Sequence, residues 1–449
     1  MEAPRDPPGP NHKPVTERTS LKNWLRDCRS KSDMKFRFVG FENCEPWKLE
    51  NGEISRPDGR FFKVIGVKNL LSGELNYFIS QPEIGILGFL TTQISGNPHL
   101  CVQTKDEPGN TRITQLAPTV QATYSNYTQA HGGKPTQYLE HFLKPTANHK
   151  TLSDSLQSEQ GYKFWQKRNR NINVFVPNSE LANLERHSLF PTREMLGLID
   201  EDFIINTDAR SVLSSCDWKN LLLDGFEAFR QSKTSFSVAL GNSFFEKPIQ
   251  SNNRTAELLE ILKIARNKTD SQLKYHKITP EDLLSDEFQN NISFITVDSL
   301  NREVEHWSQP IYKSTEIESH VLISRVVDNA AEFLIRLSKE PGLLRKVEFG
   351  PSISGLKKDS KIDKAFTNIN FQKLISVVQS DEGGRFFRNI SEYEIRLIDS
   401  TSTGLLSRQM EDSSSAYWVS AKTLNLLLRE PEVANNELRS VSSLLLKWL

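Results

Sequence analysis

Cysteine is scarce in this chain, and the patterns that would indicate a metal site, a membrane span or an oxidising compartment are missing. The 449 residues include four widely spaced cysteines, Cys28, Cys44, Cys101 and Cys216, with no Cys-x-x-Cys pair. This spacing predicts reduced thiols in the cytoplasm and no metal. No apolar run approaches the roughly 18 residues that span a bilayer, and no apolar signal core is present, so we expect neither membrane insertion nor secretion.

The chain also lacks an excess of charge of either sign. Its 56 lysines and arginines balance 56 aspartates and glutamates, so no long-range field draws it to nucleic acid or to an anionic membrane. Neither a G-x-x-x-x-G-K-S/T loop nor a G-x-G-x-x-G turn occurs, which argues against a P-loop nucleotidase and a nicotinamide-dependent redox enzyme. A charged ligand must therefore be held by local groups, and we expect no cofactor.

What the sequence does contain is a repeat on the scale of a domain. The matched segments, first half and then second, are Gln81-Pro82 with Gln309-Pro310, Glu107-Pro108-Gly109 with Glu340-Pro341-Gly342, Leu116 to Thr119 with Phe349 to Ser352, and Gln157 to Gly161 with Gln379 to Gly383. The offsets lie between 222 (379 − 157) and 233 (340 − 107) residues. Ordered matches at nearly one spacing indicate duplication of a whole domain rather than of a short solenoid unit.

The expected architecture is α+β, because strands and helices are mixed without a regular βαβ alternation. A helix capped by Ser20 is expected near the start. Hairpins are predicted at Ile84–Ile94 with His99–Thr104 and at His320–Val327 with Ala331–Ser338. The predicted divisions are a disordered arm over 1–18, an N-terminal domain over 19–232, a linker near 233–254 and a C-terminal domain over 255–449.

Polar residues that could perform chemistry are concentrated in the first copy. The run from Tyr124 to His131 offers hydroxyl, amide and imidazole groups for hydrogen bonding and proton transfer, although a polar surface loop has the same composition. Glu83, Glu107 and Glu159 lie in the repeated segments, where an apolar environment would raise the pKa of a carboxyl group towards neutrality. Turn structure or an ion pair is the alternative for each glutamate. The second copy has lost the Tyr/Asn run.

A basic segment follows in the same half, from Lys163 to Asn171. It interleaves four cations with two aromatic residues and three amides. Arginine can bind a diphosphate in bidentate fashion, and aromatic rings can stack on a base or cover a sugar. A solvated, basic edge strand would give the same pattern.

Taken together, these motifs resemble the NDP-hexose 2,3-dehydratase family of deoxysugar biosynthesis. The segments that carry the resemblance are Gln81 to Leu90, Glu107 to Asn110, Ala117 to Thr128, Tyr138 to Phe142, Leu156 to Gly161 and Lys167 to Asn171. The resemblance spans the chain beyond the N-terminal arm and includes the internal duplication. It implies a Nudix-like fold in each half, a homodimer, and a nucleotide-sugar pocket in each copy, of which the first is catalytic.

The implied reaction removes water across C2 and C3 of an NDP-4-keto-6-deoxyhexose, with dTDP as the expected nucleotide. The 3,4-diketo-2,6-dideoxy product would pass to a 3-ketoreductase or a 3-aminotransferase. The Nudix hydrolase signature is missing, since Gly197-Leu198 stand where metal-binding glutamates are needed, which disfavours metal-dependent hydrolysis. A non-catalytic nucleotide-sugar-binding protein and a divergent Nudix-like hydrolase are the alternatives.

The expected site residues divide by role. In the implied reaction a base removes the acidic C3 hydrogen beside the ketone, and an acid assists departure of the C2 hydroxyl. The expected proton-transfer residues are His131, Tyr127, Glu107, Glu83 and Glu159. The expected substrate-binding residues are Gln121, Tyr124, Asn126, Lys163, Trp165, Lys167, Arg168, Arg170 and Asn171.

Overall fold

The structure is a computed structural model that describes most of residues 20–449. The residues not described within that range are 129–131, 133, 183, 222–233, 246–247, 270–271, 301, 303, 315, 358–363, 400–401, 410–414 and 449. The predicted disordered arm therefore lies outside the described residues. Among the residues that are described, no helix combines the length and the apolar character needed to cross a bilayer.

Helices and strands are mixed along the chain, which confirms the predicted α+β class. The helices are α1 (Leu21–Ser30), α2 (Tyr124–Tyr127), α3 (Glu140–Leu143), α4 (Thr192–Gly197), α5 (Thr207–Ser214), α6 (Trp218–Leu221), α7 (Ser235–Phe244), α8 (Pro248–Lys268), α9 (Asp286–Asn291), α10 (Thr403–Gln409), α11 (Ala421–Arg429) and α12 (Asn436–Ser443). Short 3-10 turns lie at Phe41–Asn43, Asn178–Glu180, Asp282–Leu284 and Leu444–Trp448.

The strands of the described residues form four sheets. In the first half they are β1 (Lys35–Val39), β2 (Lys48–Glu50), β3 (Glu53–Ser55), β4 (Lys63–Asn69), β5 (Leu75–Ser80), β6 (Gly85–Ile94), β7 (Asn97–Asp106), β8 (Thr114–Ala117), β9 (Val120–Ala122), β10 (Lys150–Ser158), β11 (Phe164–Trp165), β12 (Arg168–Phe175) and β13 (His187–Pro191). In the second half they are β14 (Leu273–His276), β15 (Ile292–Asp298), β16 (His306–Lys313), β17 (Glu318–Val327), β18 (Ala330–Lys339), β19 (Val347–Gly350), β20 (Ile353–Leu356), β21 (Phe371–Ser380), β22 (Phe386–Phe387), β23 (Ile390–Ile398) and β24 (Ala416–Ser420).

Local sequence signals account for the elements that were predicted. The Ser20 hydroxyl accepts a hydrogen bond from the Asn23 amide at 3.3 Å, which caps α1 as expected. Both predicted hairpins are confirmed. Asp328 and Asn329 in the second hairpin have φ of 49° and 60°, the left-handed pair that a two-residue turn needs. The first hairpin turns at Ser95-Gly96, so Asn97 and Pro98 already belong to β7.

The two large sheets have the same strand order. The first runs β10-β12-β6-β7-β13, with β8 on β7 and β9 on β6. The second runs β21-β23-β17-β18-β24 in the equivalent order, with β19 on β18 and β20 on β17. The register shift between Thr151 and Ser153 in the first sheet recurs between Lys373 and Ile375 in the second. The halves therefore share topology down to an irregularity.

The two small sheets exchange a strand between the halves. One is built from β11-β5-β4-β3-β2 of the first half, and β14 of the second half pairs with β4. The other is built from β15, β16 and β22 of the second half, and β1 of the first half pairs with β15. Each half therefore completes a sheet of the other.

The strand pairing corrects one of the sequence matches. Ile79 pairs with Phe164 in the first half, and Tyr312 pairs with Phe386 in the same manner in the second. Gln81, two residues after Ile79, thus corresponds to Ser314 and not to Gln309, which lies inside β16. The offset from Ile79 to Tyr312 is 312 − 79 = 233, the same as for the Glu-Pro-Gly turns, 340 − 107 = 233. The shared Gln-Pro dipeptide is therefore a chance match.

Helices from both halves meet in one core between the large sheets. α5 and α12 lie side by side, and Arg439 of α12 donates to the Ser211 hydroxyl of α5 at 2.8 Å. The predicted linker near 233–254 includes α7 and the beginning of α8, and Phe236, Leu240 and Phe244 of α7 are buried in this core. The domain boundaries stay a prediction, because strands and core residues cross between the halves.

The turns that join the halves leave no room for a side chain at Gly109. A Cβ there would lie 1.7 Å from the Phe386 carbonyl oxygen, which is backbone and cannot move aside cheaply. We expect Gly109→Ala to lower the free energy of unfolding by at least about 2 kcal/mol. Gly197→Ala is the matched control, since its Cβ meets nothing within 4 Å, and it should change that free energy by no more than about 1 kcal/mol. Urea unfolding of both variants measures this, and equal losses would contradict the described packing.

Candidate active site

A cavity of about 490 Å³ opens where the two halves meet. We call it the first cavity. Its lining from the first half includes Lys105, Glu107, Gln121, the start of α2, Asp208 of α5 and an aromatic segment before β4. Its lining from the second half comes from the connection around Arg302, from β16, and from the loop that holds Glu382 and Arg385. The site is therefore composite.

Backbone hydrogen bonds bring the second-half loop onto the Glu-Pro-Gly turn of the first half. The Gly109 amide donates to the Gly383 carbonyl at 2.8 Å, and the Arg388 amide donates to the Gly109 carbonyl at 2.7 Å. The mirrored contact joins Gly342 to Gly161 at 2.7 Å. The first of these contacts fixes Glu382 and Arg385 in the lining that Glu107 shares.

Buried carboxyl groups line part of the first cavity. Glu107, Asp208 and Glu382 line it although they are only 2%, 3% and 6% exposed. The Gln121 amide donates to Oε1 of Glu107 at 3.0 Å, and Asn206 donates to Oε1 of Gln121 at 2.8 Å. Asn206 also caps α5, the helix whose first turn carries Asp208. The side-chain amides of Asn206 and Gln121 thus connect the first turn of α5, which carries Asp208, to the carboxyl group of Glu107.

The electrostatic surroundings of Glu107 and Asp208 differ. Burial raises the pKa of Glu107, and Glu382 raises it further, while Lys105, Arg302 and Arg385 oppose the shift. Burial raises the pKa of Asp208 well above its usual value, and three neighbouring carboxylates add to the shift against the opposing charge of Arg385. Asp208 is therefore suited to hold a proton at neutral pH, and Glu107, with three cations near it, is suited to lose one.

Arg385 is the cation at the centre of this carboxylate group. Its Nε donates to Oε2 of Glu382 at 2.9 Å, and its Nη1 donates to the side-chain oxygen of Gln81. Its guanidinium also lies 4.9 Å from the centre of the Phe164 ring. The second half therefore supplies the charge that offsets the buried carboxylates.

Aromatic rings also line the first cavity. Trp47 and Phe62 pack at 4.8 Å between ring centres, and the indole of Trp47 donates to the Ser308 carbonyl at 2.6 Å. Trp307 is a further lining residue, with the Arg302 guanidinium 6.0 Å from its ring centre. A planar base could stack on these rings, and Arg302 is close both to the Trp307 ring and to the charge of Glu107.

The structure places three predicted site residues in the lining: Glu107, Gln121 and Asn126. Tyr124 and Tyr127 belong to α2 beside Asn126, with their rings 5.2 Å apart, and Tyr124 is 50% exposed. Burial raises the pKa of Tyr127. His131 lies outside the described residues.

The predicted diphosphate-binding cations lie elsewhere. Lys163 is buried in ion pairs with Asp381 at 2.6 Å and Glu318 at 2.8 Å. Arg170 forms a two-pronged contact with Asp154, and Arg168 is 3.8 Å from Glu432. The Lys167 ammonium donates to the Glu83 carbonyl, and burial, with help from Arg385, lowers its pKa to about 8. These side chains are engaged in structural contacts instead of lining the first cavity.

The remaining predicted residues are close to the site without lining it. Glu159 is buried, accepts a hydrogen bond from the lining residue Asn169, and has a pKa that burial raises. Asn171 donates to Ser211 at 2.8 Å, and Trp165 packs edge-on against Phe78. Glu83 precedes β6 and is outside the lining.

Asp208, Arg302, Glu382 and Arg385 were missed by the sequence reasoning. Glu382 lies in the repeated segment Gln379 to Gly383, and a further repeat marks Asp208. Asn206-Thr207-Asp208-Ala209-Arg210-Ser211-Val212 recurs as Asn435-Asn436-Glu437-Leu438-Arg439-Ser440-Val441, a further repeated segment. The others come from the second half, and nothing local in the sequence connects them to Glu107.

A second cavity of about 790 Å³ lies at the mirrored position. Glu340 and Glu437 line it as Glu107 and Asp208 line the first. Glu340 is held by several donors, the Gly161 amide at 2.8 Å, Asn435 at 2.6 Å and Ser338 at 3.2 Å. Both of its carboxylate oxygens are therefore occupied by fixed donors.

Glu437 gives the fold a pH dependence that can be measured. Burial, together with Glu340, raises its pKa from 4.5 to about 8. The folded chain keeps this proton where the unfolded chain releases it, so the free energy of unfolding falls as pH rises from about 4.5 to about 8. Glu437→Gln cannot ionise. Its free energy of unfolding relative to wild type should rise by at least about 1.4 kcal/mol between pH 5 and pH 8.

Urea unfolding at the two pH values measures this difference. Glu257→Gln, at a side chain that is 55% exposed, serves as the control and should show no such rise. A constant difference between Glu437→Gln and wild type across the two pH values would contradict the assignment.

Comparison with known proteins shows the family of the chain. The family model described as NDP-hexose 2,3-dehydratase matches residues 18–216 and 283–445. A dTDP-4-dehydro-6-deoxy-alpha-D-glucopyranose 2,3-dehydratase from Saccharopolyspora spinosa is 29% identical, over 96% of this chain and 92% of its own length. Proteins of the same name from Streptomyces violaceoruber and Amycolatopsis orientalis are 28% and 26% identical, over 84% and 94% of this chain and 87% and 88% of their own lengths. The chain belongs to the NDP-hexose 2,3-dehydratase family, as the resemblance of its motifs indicated, and is a hydro-lyase.

Proposed function

We propose that this chain dehydrates dTDP-4-keto-6-deoxyglucose, or a close relative of it, in the first cavity. The names of its curated relatives support this substrate. The observation that carries the placement is the pair Glu107 and Asp208, two buried carboxyl groups with raised pKa that line one cavity. Dehydration next to a ketone needs one base and one acid, and this pair supplies both.

Glu107 is the proposed base. It removes the hydrogen from C3, which is acidic because C4 carries the ketone, and the resulting enolate places negative charge on the C4 oxygen. Lys105, Arg302 and Arg385 act electrostatically on this part of the cavity and would stabilise that charge. Tyr127 and His131, both predicted for proton transfer, come second to Glu107 in this scheme.

Asp208 is the proposed acid. It donates its proton to the C2 hydroxyl as the C2–O bond breaks and water leaves, and the electron pair of the enolate forms the C2–C3 double bond. The enol that results tautomerises by taking a proton at C2, which leaves ketones at C3 and C4. Carbon C3 is oxidised and C2 is reduced within one molecule, so the reaction needs no external electron donor.

The lining suggests how the nucleotide lies in the cavity. The proposed position of the thymine base is against the rings of Trp47, Phe62 and Trp307, and the hexose is proposed to lie against the carboxylates. Arg302, which is 6.0 Å from the Trp307 ring centre and acts electrostatically on Glu107, is proposed to bind the diphosphate, in place of the cations of the basic segment. Gln121 and Asn126 keep their predicted role in binding the sugar.

We further propose that the two halves arose by tandem duplication of a Nudix-like domain. The shared strand order and the shared irregularity of the large sheets support this. The second cavity is proposed to be non-catalytic, because Glu340 is tied by donors on both oxygens. A homodimer, a cytoplasmic location and transfer of the product to a 3-ketoreductase or a 3-aminotransferase complete the proposal.

Product identification tests the function. The protein is incubated with dTDP-4-keto-6-deoxyglucose, a 3-ketoreductase and its nicotinamide cofactor, and the sugar nucleotide is analysed by mass spectrometry and NMR. The proposal predicts a 2,6-dideoxy sugar still attached to dTDP. Release of dTMP would indicate a hydrolase, and unchanged substrate bound to the protein would indicate a non-catalytic binding protein.

A further inference from the structure

A cluster of two histidines and one glutamate lies apart from both cavities. His141 is in α3, His149 directly precedes β10, and Glu180 ends a 3-10 turn after β12. Oε2 of Glu180 is 2.7 Å from Nε2 of His149 and 3.6 Å from Nδ1 of His141. One ligand atom from each residue can be chosen so that all of them lie within 4.8 Å of one another. Neither cavity is lined by these residues.

The buried nitrogen of His141 is the observation that points to a ligand. The side chain is only 9% exposed, and among the described residues Nδ1 has no hydrogen-bond partner. A buried polar atom without a partner costs free energy, and its presence in a folded protein calls for an explanation. This nitrogen faces the carboxylate of Glu180, so a cation between them would satisfy both.

We propose that His141, His149 and Glu180 bind a divalent transition-metal ion, most naturally Zn²⁺. Two imidazole nitrogens and one carboxylate oxygen suit zinc, cobalt or nickel better than magnesium or calcium. Tetrahedral zinc with bonds of about 2.1 Å keeps its ligand atoms roughly 3.4 Å apart. The 3.6 Å separation of His141 and Glu180 already fits, and the 2.7 Å separation of His149 and Glu180 must open slightly.

Metal binding would change the position of the ring proton of His149. The Thr146 amide donates to Nδ1 of His149 at 3.1 Å, so Nε2 carries the ring proton and donates it to Glu180. Metal binding at Nε2 moves that proton to Nδ1, and the Thr146 amide must turn to solvent. Residues 143–148 are exposed and can adjust. His141 would coordinate through Nδ1, and its Nε2–H lies 3.7 Å from Glu140, a carboxylate that can orient the ring.

The proposed ion has a structural role. The chain runs from α2, which contributes to the lining of the first cavity, through Tyr138 to α3 and His149. Tyr138 already ties this path to the turn after β12, since its hydroxyl donates to the Ala182 carbonyl at 2.7 Å. A metal ion bound by His141, His149 and Glu180 would hold the segment from α3 to β10 against the same turn by a second contact. Local sequence patterns do not connect these ligands, because Glu180 is 31 residues from His149.

Calorimetric titration of tag-free protein, first dialysed against EDTA, tests the proposal. Zn²⁺ should bind with one site per chain and should raise Tm, whereas Mg²⁺ should do neither. His149→Gln and Glu180→Gln should each weaken Zn²⁺ binding at least about tenfold. Glu180→Gln is the decisive variant because its side chain is 31% exposed, whereas the side chains of His149 and His141 are only 2% and 9% exposed. Thermal unfolding verifies that His149→Gln is folded before its Zn²⁺ affinity is compared.

His276→Gln is the matched control. His276 and Asp282 form a similar pair at 3.0 Å, and within the described part of the chain no third ligand joins them. Its Zn²⁺ affinity should equal that of wild type. The proposal is overturned if wild type shows no stoichiometric Zn²⁺ binding, or if His149→Gln and Glu180→Gln bind Zn²⁺ as tightly as the control.

Discussion

Replacing Glu107 by glutamine should lower kcat about 100-fold, which corresponds to about 2.7 kcal/mol of activation free energy. Glutamine keeps the shape of the side chain and can still accept the hydrogen bond from Gln121, so the fold should be preserved. It cannot accept the C3 proton. A coupled assay with a 3-ketoreductase measures kcat and kcat/KM, and thermal unfolding verifies that the variant is folded.

Glu340→Gln is the matched control for this prediction. Glu340 occupies the mirrored position in the second cavity, at the same place in a Glu-Pro-Gly turn. Its substitution should leave kcat within about twofold of wild type. Equal losses in the two variants would show that the cavities do not differ in the proposed way, and full activity in Glu107→Gln would remove this residue as the base.

Replacing Arg302 by alanine should raise KM at least about tenfold with a smaller effect on kcat. The diphosphate is present in both the bound substrate and the transition state, so losing its partner weakens both states similarly. Arg302 is anchored at the cavity by donating to the Asp106 carbonyl at 2.8 Å. Arg302→Lys should recover only part of the loss, because lysine keeps the charge but lacks the planar fork.

Arg170→Ala is the control that separates this account from the one based on the basic segment. Arg170 is paired with Asp154 at 2.6 Å and does not line the first cavity. Its removal should leave KM unchanged, and so should Arg168→Ala. If Arg170→Ala weakened substrate binding as much as Arg302→Ala, the basic segment and not Arg302 would hold the diphosphate.

Elements governed by local chemistry could be predicted from the sequence. The cap at Ser20 and the turn at Asp328-Asn329 act through neighbours in the chain, so their signals are complete within a few residues. Glu107 and Gln121 could also be selected, because they belong to repeated or motif-bearing segments of one half. These predictions needed no knowledge of how distant parts of the chain meet.

Local sequence patterns could not predict that both halves of the chain line the site. Arg385 enters the first cavity because the Gly109 turn docks on the Gly383 loop, a contact between residues more than 270 positions apart. Lys163, at the mirrored position, is drawn instead into ion pairs with Asp381 and Glu318. A basic segment in the sequence therefore says which charges exist, whereas the fold decides which of them stay available for a ligand.

Asp208 could be predicted in part. Its segment is repeated around Glu437, and Arg-Ser-Val follows in both copies, so the repeat marks Asp208 as a candidate. The repeat alone would not have shown that Asp208 and Glu107 share a cavity. That fact depends on the hydrogen bonds from Asn206 to Gln121 and from Gln121 to Glu107, which only the folded chain contains.

The most direct test of the account follows the hydrogen at C3. Wild-type protein and Glu107→Gln are each given dTDP-4-keto-6-deoxyglucose carrying deuterium at C3, and the location of the label is determined by mass spectrometry and NMR. We predict that wild type releases the label to water as the dehydrated product forms, and that Glu107→Gln releases it about 100-fold more slowly. Label transferred to C2 of the product at the same rate in both proteins would instead indicate a transfer that does not involve Glu107, and label released by Glu107→Gln at the wild-type rate would show that another residue is the base.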